Sequence, residues 1–185
     1  MADFHVVQVG SGRPQVRSSV SLVIDGAHRI VIDPGMAPSQ LAISAPLYEL
    51  GVALDEVTDI VISHHHPDHT INAGMFPHAR VHDHWAIYHY DDWDSQPAEG
   101  REVSAAVTLW ETPGHTPQDI STLVDTANGL VAFTHLWFYA EGPPEDPYAT
   151  DPAALHAGRE RILEVASLIV PGHGPAFAPD SSTPR

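Results

Sequence analysis

The sequence predicts an α/β (α+β) protein in which two sheets are flanked by a few helices. Three observations carry that expectation. Short apolar runs recur through the chain, only two windows show helical spacing, and no glycine-rich phosphate loop follows any strand. The last point, with the strand-rich middle, argues against a doubly wound nucleotide-binding sheet. At 185 residues and 43% hydrophobic, the chain can bury one core and has little room for a second domain. Residues 1–185 therefore read as a single domain, with residues 178–185 as a flexible C-terminal tail.

The elements follow in order. His5-Val-Val-Gln-Val, Ser19-Val-Ser-Leu-Val-Ile and Arg29-Ile-Val-Ile read as strands, and Asp25-Gly-Ala-His forms the hairpin between the last two. Ser39 is placed to cap a helix over Leu41–Leu50 that Gly51 stops, and Pro46 inside it predicts a broken or two-part helix. The continuous apolar character of Asp59 to Ser63 marks a central strand. Thr70 to Phe76 reads as a short helical or turn segment. Arg80 to His84 reads as a strand with His82 and His84 on one face, and Tyr88–Gly100, polar, acidic and aromatic, as a loop. Val103–Glu111, Ser121–Asp125 and Leu130–Thr134 supply the second sheet. Asp151 caps a helix that begins at Pro152 and runs to about Ala166.

Chemistry concentrates where the central strand ends. There the chain reads Ile62-Ser-His-His-His-Pro-Asp-His-Thr-Ile-Asn, which places His64, His66, Asp68 and His69 on one tight turn. Neutral imidazole and carboxylate are ligands for zinc, iron and manganese. His64 and His66, two apart, share a face in extended chain, whereas His65 points away toward packing. Two further turns repeat one pattern: Pro-Gly-His115 after Val107-Thr-Leu-Trp, and Pro-Gly-His173 after Ser167-Leu-Ile-Val. Each delivers one imidazole at a strand's exit.

On these residues the sequence resembles the metallo-β-lactamase fold superfamily across nearly the whole chain, and within it the MBLAC-type hydrolase-like proteins. The resemblance implies a four-layer αββα sandwich with metals at one edge between the sheets. It also implies two Zn2+ per chain, with Fe or Mn fitting the same ligands. His64, His66 and His115 would hold one ion, and Asp68, His69 and His173 the other. Asp33, ending Ile30-Val-Ile-Asp, would support the metal turn from behind. Asp68 is the expected catalytic proton shuttle if it ligates weakly or only one ion occupies the site.

One departure from the family stands out. Members normally carry an aspartate after the strand Gly129–Thr134, bridging both metals, and here His135 occupies or abuts that slot. A neutral imidazole has one free lone pair. The substitution therefore predicts metals linked by water or hydroxide alone, or one site weaker than the other, unless His135 turns away and binds nothing. Trp137, Phe138 and Tyr139 would form an apolar wall or pack in the core. His82, His84 and His89 could line the pocket or be merely solvated.

Charge narrows the partners. Eight basic against 24 acidic residues give a net charge of −16, a poor match for a phosphate backbone, so nucleic-acid partners are not expected and a small-molecule substrate is. The absence of cysteine excludes disulfides and thiolate chemistry. With no leader pattern and no membrane-length apolar stretch, it points to a cytoplasmic protein without a membrane partner. Oligomeric state is not encoded legibly. The expected activity is hydrolysis of a small ester, lactone, thioester or amide by metal-bound hydroxide, since a bound divalent ion brings the pKa of water from 15.7 to about 7. The alternatives are a mononuclear iron thiol or persulfide dioxygenase-like oxidoreductase and a non-catalytic metal binder.

Overall fold

Period-two alternation along the strands decides the layering. The computed structural model describes all 185 residues. Its first sheet runs β1 (Asp3–Gln8), β2 (Val20–Asp25), β3 (His28–Ile32), β4 (Asp59–Val61), β5 (Arg80–His82), β6 (Ala86–His89) and β7 (Asp92–Ser95), side by side in chain order. The second contains β8 (Glu102–Ser104), β9 (Val107–Glu111), β10 (Ile120–Thr126), β11 (Gly129–Thr134) and β12 (Leu168–Pro171), in spatial order β12-β11-β10-β9-β8. The pairs β3–β4, β4–β5 and β11–β12 are parallel, and the remaining pairs antiparallel.

On the inward faces Val23, Ile30, Ile32 and Val61 meet Val107, Leu109, Val124, Val131, Phe133 and Val170 in one buried cluster. Their alternate neighbours Leu22, Val31 and Ile60 face outward onto Ile43 and Leu47 of helix α1 (Leu41–Glu49). After the short α2 (Pro67–Thr70), the longest helix, α3 (Pro152–Leu163), lays Leu155 and Ile162 on Leu123, Ala132 and Ile169, the outer face of the second sheet. The layers are thus α, β, β, α, as the resemblance implied. Each fully buried aliphatic side chain contributes about 1.5–3 kcal/mol.

Several local expectations needed correction. Helix α1 is continuous through Pro46, because proline's fixed φ is helical and only one i→i−4 bond is lost, while Ile43 and Leu47 anchor both sides. Its N-cap position is Gln40, with no side-chain cap, rather than Ser39. The Tyr88–Gly100 segment is not a loop. It carries the end of β6 and all of β7, turning at Tyr90 with φ 55°. Asp83 fixes the turn into β6 by accepting the Trp85 and Ala86 N–H groups at 2.8 and 3.0 Å, and buried Arg101 donates to the Asp83 and Ala86 carbonyls. Residues 178–185, expected as a flexible tail, pack back onto the domain. The Trp137 indole N–H donates to the Pro184 carbonyl at 2.8 Å, and Arg185 pairs with Glu160 at 2.5 Å. No helix is long and apolar enough to cross a membrane.

On the same face of the first sheet as Ile30 and Val61 lies a buried ionic knot. Asp59, fully buried, accepts from Thr58 Oγ1 at 2.8 Å, Arg80 at 2.7 Å, His82 Nε2 at 2.9 Å and His28 Nδ1 at 3.2 Å. Burial alone would raise its carboxyl, but the bonds from His82, Thr58 and His28 pull it down to about 2. A depressed folded-state pKa stabilises above the unfolded value of 3.8 and loses that contribution as pH falls toward 2. The stability advantage of the wild type over Asp59→Asn should therefore shrink by about 1 kcal/mol between about pH 6 and about pH 3. Paired denaturant titrations at the two pH values measure it, and a constant difference would refute the assignment.

Candidate metal centre

The C-terminal ends of β3, β4, β9, β11 and β12 converge at one edge of the sandwich, and each delivers a polar residue there. Hydrogen bonds across the sheets lock this edge: Ser19 N–H donates to Gly172 O at 2.7 Å and Ile120 N–H to Ser63 O at 2.9 Å. Asp33 follows β3 in a left-handed conformation, φ 51°. Its Oδ1 accepts Ser63 N–H at 2.7 Å, while Oδ2 accepts Ser63 Oγ at 2.7 Å and His69 Nδ1 at 2.8 Å. The turn from His64 to His69 is thereby held at both ends by one carboxylate. Gly35 makes the fit possible: a Cβ there would lie 1.6 Å from the Asp68 carbonyl oxygen, which accepts Met36 N–H at 3.0 Å. Pro67 opens α2 at a position that needs no N–H, which projects Asp68 and His69 from its first turn.

Two donor triads result. His64 Nε2, His66 Nδ1 and His115 Nε2 form the first, with His66 Nδ1 at 2.9 Å from His64 and 3.2 Å from His115. Asp68, His69 and His173 form the second, with Asp68 Oδ2 at 3.5 and 3.7 Å from the two Nε2 atoms. His135 is buried between them. Its Nε2 is 3.0 Å from His173 Nε2, and with His64 and His69 it makes a third cluster of potential ligands. It does not turn away. Gly172 provides its space, since a Cβ there would sit 2.4 Å from His135 Cδ2.

The outer ring nitrogens show what the inner ones carry. His69 Nδ1 meets Asp33, His115 Nδ1 meets Asp146 Oδ2 at 2.7 Å, and His173 Nδ1 meets the Arg17 carbonyl at 3.0 Å. Carboxylates and carbonyls only accept, so these Nδ1 atoms carry the protons and each Nε2 turns a lone pair inward. His69 Nε2 is buried without a hydrogen-bond partner, and in the neutral ring its lone pair faces the Asp68 carboxylate, an acceptor against an acceptor. A cation between them satisfies both. Burial, then the neighbouring imidazoles, pushes His64 and His135 well below the ordinary histidine value, and burial lowers His66 and His173 as well. These four are neutral donors at neutral pH. His69 differs: burial opposes its charge, but Asp33 and then Asp68 raise its pKa. The donor set fits divalent metal without thiolate, as the sequence implied.

The triads form the floor of a cavity of about 520 Å3 to which His66, Asp68, His115, His135 and His173 contribute. Val16, Phe138 and Tyr139 wall it, and Arg13, Tyr148 and Thr150 stand among its remaining lining residues. Of the aromatic run after His135, Trp137 is instead fully buried core. His82, His84 and His89 do not line it: His82 serves Asp59, His84 packs against Trp85, and His89 stacks on Tyr90. His65 is bonded to Asp83 at 2.9 Å and leans on Trp85, a packing role. Three contributors escaped the sequence reading. Ser63 couples Asp33 to the turn, and Asp146 orients His115 from a proline-rich loop 31 residues away. Asp119, pushed up to about 6 by burial, accepts Thr116 N–H at 2.7 Å and shapes the turn after His115. No spacing pattern announces any of them.

Comparison with known proteins agrees with this geometry. Residues 13–179 match the sequence profile of the metallo-beta-lactamase superfamily. The chain is 35% identical over 183 residues to metallo-beta-lactamase domain-containing protein 1 of Xenopus laevis, covering 91% of this chain and 76% of the frog protein. It spans 48% to 62% of four other curated relatives. Among solved structures, it is similar to a metallo-beta-lactamase-type protein of Thermotoga maritima, with a TM-score of 0.78, 21% identity and coverage of 96% and 99% of the two chains. An N-acyl homoserine lactone hydrolase, solved with N-hexanoyl-L-homoserine at its catalytic metal centre, gives a TM-score of 0.65 at 22% identity, covering 83% and 80%.

Proposed function

The chain belongs to the metallo-β-lactamase superfamily, and from that membership we propose that it is a metal-dependent hydrolase of a small ester, lactone, thioester or amide. The observation that carries the reading is the pair of donor triads on the floor of a cavity of about 520 Å3. His64, His66 and His115 would hold one divalent ion and Asp68, His69 and His173 the other. Bound there, metal supplies an acidified water, with a pKa of about 7, and a Lewis acid for the substrate carbonyl. The protein's own residues do the rest. Asp33, Asp146 and the Arg17 carbonyl fix three imidazole orientations from behind. Phe138, Tyr139 and Val16 give the cavity apolar lining. Asp68, half-buried at the floor, would take a proton from the attacking water and return it to the leaving group if it ligates weakly or only one ion is bound. The lactone hydrolysed by the structural neighbour makes lactones the first substrates to try.

His135 shapes the metal stoichiometry. A carboxylate in that slot spans two ions, whereas one neutral imidazole ligates a single ion. Elemental analysis of protein purified without added metal, beside His135→Asp, tests the site. The expected result is about two zinc ions per chain in both, with the second lost more readily to chelator from the wild type. About one iron per chain and oxygen-dependent turnover would replace this reading with an oxidoreductase, and an inert, metal-loaded protein would leave only a metal binder.

A further inference from the structure

Arginine use across the chain marks an anchor at the mouth of the cavity. All eight basic residues are arginines, in a protein of net charge −16. Six of them are committed. Arg80, Arg161 and Arg185 pair with Asp59, Glu99 and Glu160, and Arg29, Arg101 and Arg159 donate to backbone carbonyls. The two without an acid or carbonyl partner both lie on the loop between β1 and β2, which a Ser11–Arg17 bridge closes. Arg17 makes no side-chain hydrogen bond, and its Nε is buried without a partner. Arg13 lines the cavity, and its one hydrogen bond is to Tyr148 Oη, at 3.1 Å.

That contact is built into the metal centre. Asp146 accepts Tyr148 N–H at 2.8 Å with one carboxylate oxygen and His115 Nδ1 at 2.7 Å with the other. Thr150 N–H further pins this loop to the His115 carbonyl at 3.2 Å. The backbone of Tyr148 is thereby tied to the floor, and the exposed Arg13 guanidinium reaches the Tyr148 phenol at the cavity, with Val16, Phe138 and Tyr139 among the lining residues. An uncommitted guanidinium presents a planar fork of donors suited to a carboxylate, and the phenol adds one more. The strongly negative surface opposes a dianion more than a monoanion, which favours carboxylate over phosphate.

We propose that the substrate is an amphipathic carboxylic acid: its carboxylate sits on Arg13 and Tyr148, an apolar body runs along Phe138 and Tyr139, and the hydrolysable bond lies over the histidine floor. This rests on the hydrolase reading. The test compares the 4-nitrophenyl ester of adipic acid with the same ester methylated at its free carboxyl. The zinc-loaded enzyme should favour the acid in kcat/KM by about tenfold, mainly through KM. Arg13→Met should bring the ratio to about one, and Arg13→Lys should restore part of it. A second readout needs no turnover. Metal-free protein at pH 8, dialysed clear of chelator, should gain thermal stability with hexanoate, and Arg13→Met should not. If neither ester is cleaved but the hexanoate shift depends on Arg13, the anchor stands and the hydrolase reading falls. If both esters are cleaved equally and hexanoate gives no Arg13-dependent shift, the anchor is overturned while the hydrolase reading survives.

Discussion

His115→Ala should lose one metal ion per chain and with it all measurable turnover. The side chain is 5% exposed and closes the first donor triad. Its loss also strands Asp146. Burial alone would raise that carboxyl, but His115 and the Tyr148 N–H hold it below its ordinary value. Without the imidazole, a buried acceptor is left short of a donor, which costs about 1–3 kcal/mol. Asp146→Asn is the milder comparison, since the amide oxygen can still accept Tyr148 N–H while the orientation of His115 weakens. A 10–100-fold fall in metal affinity is the usual scale of such a change. Metal content by mass spectrometry, beside turnover and thermal melts, resolves the two. Full metal content and full turnover in His115→Ala would sink the site assignment.

Asp33→Ala should be the most destabilising single change at the centre. Three donors converge on this carboxylate within 2.8 Å; without it Ser63 N–H would have no other acceptor, and His69 Nδ1–H only the Ser63 hydroxyl at 3.4 Å. Breaking such a buried pair costs about 3–5 kcal/mol. The left-handed φ of 51° adds about 1–2 kcal/mol for alanine. Asparagine tolerates that backbone, so Asp33→Asn separates backbone strain from lost acceptor capacity: it keeps the turn but offers His69 one oxygen fewer. Denaturant midpoints with and without zinc measure both. A loss under about 1 kcal/mol in Asp33→Ala would mean that the turn holds itself.

The metal motif was legible because its spacing is local. His64 to His69 lie within one turn, and each Pro-Gly-His marks its own strand exit. Strands of the inner layers were legible for a related reason, as their alternation records which face is buried. The hairpin β6–β7 was not, since Asp92–Ser95 is wholly exposed and its support comes from polar contacts of Asp83 and Arg101 that leave no periodic pattern. His82 could be read as pocket-lining or solvated, and neither holds, because the partner that decides its role is Asp59, 23 residues earlier. Arg13 and Tyr148 are 135 residues apart, so only the folded chain shows that they meet.

The donors of each triad come from both sheets: His64, His66, Asp68 and His69 follow β4, whereas His115 and His173 follow β9 and β12. An ion bound to either triad is consequently a clamp between the two halves of the sandwich, absent from the unfolded chain. Its binding energy then counts as folding energy. Free metal at about a hundred times its dissociation constant would add roughly 2.7 kcal/mol, a large share of the 5–15 kcal/mol typical of a domain. The melting temperature of this protein becomes a gauge of the metal supply around it, and metal starvation would thin the folded population as well as silence the site.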